Sequence, residues 1–304
     1  MAHVKRLGFI LAAGLSIYFA VALVKADWQV LAGLSRMQLA GALVVAVPAY
    51  AIASVSLAGA WIVLLRSAGA PLGGQARAYA RTQAMKYLPG NVGHIVLRHA
   101  AAHKLGAGHQ ALAIAAIAEL ALVAAAALLV GLVAAPQLVR LAASVLEPGW
   151  LIVAACGVIL VVSGVISLAR SRLASTLAPL GRLPMGQIVH ATGLYTVFFL
   201  VCGAIQVWLA HSALSVPLNH APLIIGAGAA AWLAGFLTPG SPAGLGVREV
   251  VLLVVLGPNL GVSEAVALAA IYRVSTILGD GLFALSAFVR LSPLPPMNAT
   301  DPPR

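Results

Sequence analysis

Residues 109–134 carry a single charge, Glu119, and apolar stretches of comparable length recur along the chain. Runs of this kind leave few folds open. Roughly 18–20 apolar residues reach across the hydrocarbon of a bilayer. Inside hydrocarbon every backbone N–H and C=O must be satisfied by protein, so only helices and closed barrels can cross. The period-2 alternation of a lipid-facing barrel strand is absent, which leaves helices. The composition agrees: 62% of the 304 residues are hydrophobic and 8% are charged. The expected fold is all-α, a polytopic integral membrane helical bundle.

The apolar runs place spans over residues 7–24, 39–65, 109–134, 150–169, 188–210, 222–237 and 263–289. Pro48 predicts a kink in the second. Residues 247–256 are apolar but too few to cross alone. These runs sum to about seven or eight membrane segments. Residues 1–292 read as one integral membrane domain, and the Pro-rich tail, residues 293–304, as disordered. Lys5 and Arg6 ahead of an apolar run resemble a signal peptide, but the run exceeds a usual signal core, so an uncleaved first helix is expected.

The net charge of +11 has an ordinary explanation in such a chain. Lys and Arg collect on loops that face the cytoplasm. With the N-terminus inside, Lys5 and Arg6, the segment from Arg66 to Lys104, and the loop with Arg170, Arg172 and Arg182 all fall on that side. Only Lys25, Arg36 and Arg140 fall outside. A cytoplasmic N-terminus follows, and nucleic acid is not an expected partner.

Two apolar stretches are broken by nearly the same device. One reads Tyr87-Leu88-Pro89-Gly90-Asn91-Val92-Gly93, flanked by Lys86 and Arg98. The other reads Leu237-Thr238-Pro239-Gly240-Ser241-Pro242-Ala243-Gly244-Leu245-Gly246-Val247-Arg248-Glu249. Proline removes a backbone donor and glycine permits a sharp reversal. Broken backbone at membrane depth persists only where it is buried in protein or lines a wet cavity. A matched pair of breaks, one in each half, is the pattern of a transporter's substrate site. The segments 86–98 and 237–249 are therefore expected to be re-entrant hairpins. Lys86, Tyr87, Pro89, Gly90, Asn91, Arg98, Gly244, Gly246, Arg248 and Glu249 are the expected substrate-binding residues.

Arg248 and Glu249 open a short apolar helix after a Gly-rich break. Unpaired N–H groups at a helix start favour an anion, and Arg248 adds a full charge there. The plainer reading is a snorkelling arginine beside a capping glutamate. Arg273 and Asp280 are seven residues apart and share a helix face, where they can pair with Glu249 or Glu119. Glu119 lies inside its span with no local partner, so it is neutralised by a distant cation or protonated. These three make up an expected intramembrane charge network.

Other patterns carry no chemistry. His99 and His103 have metal-like spacing but no carboxylate or cysteine beside them, so no metal is expected. Gly106-Ala107-Gly108-His109-Gln110-Ala111 follows a basic helical stretch rather than a strand and is no dinucleotide fingerprint. No Walker A loop and no nucleophile triad is present, and no cofactor is expected. Cys156 and Cys202 sit inside spans as small core residues.

The motif from Lys86 to Gly93, the basic segment to Gly106, the downstream Glu119, and Gly244-Leu245-Gly246-Val247-Arg248-Glu249 together resemble the membrane region of the lysylphosphatidylglycerol synthase/flippase family. The resemblance covers residues 7–290. It implies a bacterial inner-membrane protein that translocates lipid. In bifunctional members a separate cytosolic domain makes the aminoacylated phospholipid. That domain is not expected here, so aminoacyl transfer is not carried over and an enzyme is not expected.

The expected function is translocation of an anionic phospholipid or a lipid-linked glycan intermediate, with anionic membrane lipids as partners. A separate synthase or glycosyltransferase, and a second copy of the chain, are further expected partners. The alternative is a membrane subunit or accessory of a lipid-linked glycosyl or aminoacyl transferase, with Glu249 or Glu119 as its carboxylate.

Overall fold

The computed structural model describes Gly14 and residues 36–67, 70–72, 74–87, 93–136, 183–238 and 241–288. The expected spans over 7–24 and 150–169 and the tail 293–304 lie outside these residues. So do Pro89, Gly90 and Asn91 of the first break, Pro239 and Gly240 of the second, and Cys156.

Among the described residues the chain is helical, with no strand. The helices are α1 (Arg36–Ser67), α2 (Gln75–Gln83), α3 (Gly93–Lys104), α4 (His109–Gly131), α5 (Met185–Leu214), α6 (Ala221–Leu237), α7 (Val247–Leu260) and α8 (Val262–Ser286). A 3₁₀ turn, Ala84–Tyr87, follows α2, and another, Pro242–Gly244, precedes α7.

Five helical stretches are long and apolar enough to cross a membrane: Met37–Arg66, His109–Ala134, Met185–Leu214, Leu218–Leu237 and Val262–Ser286. These match five of the expected spans. The molecule is thus consistent with a multi-pass membrane protein. Pro48 lies within α1, which continues through it. The basic segment between the second and third expected spans, which apolar runs alone did not resolve, folds as α2 and α3.

The long helices bury one side and leave apolar groups on the other. Val44, Ile52 and Val55 of α1 are 71%, 70% and 57% exposed. Such a belt is a liability in water, whereas hydrocarbon solvates it at no cost. With no hydrophobic drive between helices in lipid, close packing of small residues does the work. Gly279 of α8 shows it: a Cβ there would stand 2.7 Å from the Tyr50 ring and 3.0 Å from the Val47 carbonyl oxygen of α1. Tyr50 in turn meets Phe198 of α5 edge-on at 6.0 Å. The α1, α5 and α8 helices therefore form a tight frame, with α2 and α3 packed against one end.

Candidate functional site

Seven charged side chains of this apolar bundle, Lys86, Arg98, Glu119, Arg248, Glu249, Arg273 and Asp280, converge on its interior. Three ion pairs are found among the described residues, and all three lie there. Lys86 Nζ stands 2.7 Å from Asp280 Oδ2, and the Tyr87 hydroxyl donates to the same oxygen at 2.6 Å. Lys86 and Tyr87 belong to the turn after α2, while Asp280 is fully buried on α8. Arg98 of α3 pairs with Glu119 of α4. Arg273 of α8 pairs with Glu249 of α7 at 3.5 Å.

The spacing of Arg273 and Asp280 on one helix face is what brings the turn before the first break beside the second break. Asp280 holds the turn before the first break. Two turns away, Arg273 donates to the Ala243 carbonyl of the second break at 3.2 Å and lies over the Tyr87 ring at 5.7 Å. Asp280 therefore pairs with Lys86 and Tyr87, and Arg273 with Glu249. The distant cation that Glu119 requires is Arg98, 21 residues upstream.

The Arg98–Glu119 pair is closed. The guanidinium is sandwiched between the Trp61 and Tyr79 rings, 4.4 and 4.3 Å from their centroids. The Tyr79 hydroxyl donates to Glu119 Oε1 at 3.2 Å. Beside it, His94 faces the interior. Burial, and then the positive charges of Arg98 and Lys86, push His94 down to about 3, so its ring is neutral at pH 7.

Arg248 is different. It has no ion-pair partner among the described residues, and its Nε, like that of Arg98, is buried without a hydrogen-bond acceptor among them. The guanidinium rests 5.4 Å from the Trp232 ring centroid. Its stem lies in a cleft made by two glycines. A Cβ on Gly235 would stand 2.8 Å from Arg248 Cγ, and one on Gly244 would stand 3.0 Å from it. Gly244 also has φ +72°, a conformation an L side chain resists. Gly246, with φ 80°, turns the chain into α7. The glycines of the second break thus serve both the reversal and the close approach of Arg248. Gly235, on α6, escaped the sequence reading, because one glycine in an apolar helix carries no signal of its own.

Two cavities meet at Arg248. One, of about 90 Å³, is lined by Lys86, His94, Arg98 and Glu119. The other, of about 30 Å³, is lined by Glu249, Arg273, Gln206 and Cys202. Tyr50, Phe198, Trp232 and Arg248 line both. Around this space stand Lys86, Arg98, Arg248 and Arg273 against Glu119, Glu249 and Asp280. Among the described residues the site carries one cation more than it has carboxylates. A desolvated positive charge is costly unless paired, so the arrangement favours an anion.

Gln206 and Trp232 were not singled out by sequence. Both look like span residues, and only the fold aims them at the cavity. Among the described residues no cluster of His, Cys, Asp or Glu is arranged to hold a metal. No protein-family model matches the chain, and a comparison with curated proteins gives no match either.

Proposed function

We propose that this chain is an integral-membrane lipid translocase that moves an anionic phospholipid or a lipid-linked glycan intermediate between leaflets. The observation that supports it most is Arg248: a partly buried cation without a carboxylate partner among the described residues, at the junction of two interior cavities. A phosphate lying against its guanidinium would supply the missing charge and accept from its donors. Lys86 and Arg98 border the same space and extend the path on one side. Glu249 and Arg273 extend it on the other. The apolar outer face of the bundle would carry the acyl tails while the headgroup crosses inside.

The proposal includes about seven or eight membrane segments, with the breaks at 86–98 and 237–249 as re-entrant hairpins, in a bacterial inner membrane with the N-terminus cytoplasmic. Rocking of one half against the other, around phosphate held between the breaks, would expose the site alternately. Likeness of the two break motifs to the lysylphosphatidylglycerol synthase/flippase membrane region supports the same reading.

The test is dithionite quenching of a fluorescent anionic lipid in proteoliposomes. The parent protein should move label between leaflets. Arg248→Ala should slow it more than tenfold, because a charge-assisted hydrogen bond to a buried phosphate contributes about 1.5–3 kcal/mol. A parental rate in Arg248→Ala sinks the phosphate site. A parent that moves no lipid under any gradient points instead to an accessory of a lipid-linked transferase.

A further inference from the structure

The α2 and α3 helices have a second concave side, facing away from the polar interior. On α2, Tyr79 and Gln83 line the interior cavity, whereas Arg77, Ala78, Arg81 and Thr82 line an outer groove. On α3, His94 and Arg98 face inward, whereas Ala101 and Lys104 face the groove. The groove encloses about 290 Å³, roughly three times the larger interior cavity.

Its charge is one-sided. Arg77, Arg81 and Lys104 are exposed, and among the described residues no carboxylate lines the groove. Arg77 and Arg81 are one helical turn apart, where like charges repel. None of the four described carboxylates relieves them. Glu119, Glu249 and Asp280 are engaged inside the bundle. Glu264 opens α8, while Arg81 reaches the other end of that helix, donating to the Ala287 carbonyl at 3.5 Å.

The rim is apolar. Leu105, 41% exposed, lines the groove, and the Arg81 guanidinium lies 4.8 Å over the ring of Phe288, which is 65% exposed. The groove also sits where α1 ends at Ser67, where α4 begins at His109 and where α8 ends at Ser286. That is the level at which spans leave the hydrocarbon and lipid headgroups begin. Concentrated positive charge beside exposed aromatic and aliphatic surface, at headgroup height, fits an amphiphile with an anionic head.

We propose that the groove between α2 and α3 is a second, peripheral site for an anionic phospholipid, whose phosphate is held by Arg77, Arg81 and Lys104 while its tails lie along the Phe288 side. It goes beyond the translocation path: it shares no lining residue with the Arg248 cavities and stands whether or not Arg248 moves lipid.

Native mass spectrometry of the purified full chain, titrated with phosphatidylglycerol, tests it. The parent should retain this lipid in preference to phosphatidylcholine. Arg77→Gln with Lys104→Gln should weaken one bound phosphatidylglycerol about thirtyfold, the combined effect of two surface charges at an anionic headgroup. Arg77→Lys with Lys104→Arg, which keeps the charge, should retain it. Arg248→Ala should leave this bound lipid in place, so failure here and failure of the translocation reading are separable. Undiminished binding in the charge-removing variant overturns the proposal. Equal retention of phosphatidylcholine overturns it as well. If millimolar inorganic phosphate displaces the lipid, the groove is a free-phosphate site and the lipid assignment falls.

Discussion

The α3/α4 and α7/α8 pairs are built from the same parts and differ in how completely those parts are used. In each, a short helix follows a Pro-Gly break and is ion-paired to the long helix after it. In α3/α4 the pair is Arg98–Glu119, stacked between Trp61 and Tyr79 and joined by the Tyr79 hydroxyl. In α7/α8 the pair is Arg273–Glu249, at 3.5 Å, with Glu249 Oε2 and Arg273 Nη2 both buried and without hydrogen-bond partners. Next to it stands Arg248, without a carboxylate among the described residues. A buried pair stacked between two rings is a strut even though Arg98 Nε also lacks a partner, because breaking it leaves a charge with nowhere to go. A longer pair beside a cation without a described carboxylate leaves bonding capacity unused. On the function proposed above, the two halves divide stability and binding between them.

The strongest way to break this division is at Glu119. Glu119→Ala leaves Arg98 buried and alone, at a cost of about 3–5 kcal/mol. The variant should unfold at markedly lower temperature in detergent. Replacing both partners with apolar residues, Arg98→Met with Glu119→Leu, should recover most of that loss, since the desolvation cost disappears with the charges. A Glu119→Ala protein as stable as the parent would mean that the pair is no strut.

Glu249→Gln should do the reverse. It keeps the shape and removes the carboxylate of a longer pair whose Arg273 keeps its bond to the Ala243 carbonyl, so stability should fall by less than in Glu119→Ala. Lipid movement in the dithionite assay should nonetheless be lost, because Arg273 would then compete with Arg248 for the phosphate. Large destabilisation with intact transport would exchange the roles of the two halves.

How much of this was legible beforehand follows from what each feature depends on. The all-helical fold and five of the spans follow from apolar runs that lipid allows to be nothing else. Glu119, Arg273 and Asp280 stand out because an ionisable residue in an apolar run is conspicuous, and Lys86, Arg98, Arg248 and Glu249 because they flank the two Pro-Gly breaks. Of their pairings, Arg273 with Glu249 was among those the spacing allowed, whereas Lys86 with Asp280 and Arg98 with Glu119 were not legible. Lys86 and Asp280 are 194 residues apart, and only packing of α8 against the turn after α2 decides that Asp280 takes Lys86. The contrast between a stacked arginine and a spare one was hidden too, since it depends on where Trp61, Tyr79 and Trp232 come to rest. Gly235 shows the same limit: its role is to be absent beside Arg248, and absence has no sequence signature. Pro89, Gly90 and Asn91 carry as much motif signal as any residue here, yet they lie outside the described residues.

The glycine cleft sharpens the comparison at lower cost. Gly235→Ala places a methyl carbon 2.8 Å from Arg248 Cγ, closer than side-chain carbons pack. The arginine must shift, and overpacking of this kind costs about 1–3 kcal/mol. Transport should fall several-fold while α3/α4 is untouched, so trypsin cleavage at Arg77 or Lys104 should keep its parental rate. Faster cleavage there would show that the halves are coupled rather than separate.

The smallest effect is expected at Ala243. This residue has φ 49°, a left-handed conformation that alanine resists, and its carbonyl accepts the Arg273 hydrogen bond. The conformation costs an L residue roughly 1–2 kcal/mol relative to right-handed backbone. Glycine would remove that strain but would lose more freedom on folding, about 0.5–1 kcal/mol. Ala243→Gly should therefore leave stability nearly unchanged, or raise it by about 1 kcal/mol at most. Its value lies in direction. If α7/α8 is the adaptable half, easing the turn that presents the Ala243 carbonyl to Arg273 should change the transport rate more than the unfolding temperature. Parallel measurement of both on this variant decides it. A shift in unfolding temperature with an unchanged rate would place the second break among the structural elements, alongside Arg98 and Glu119.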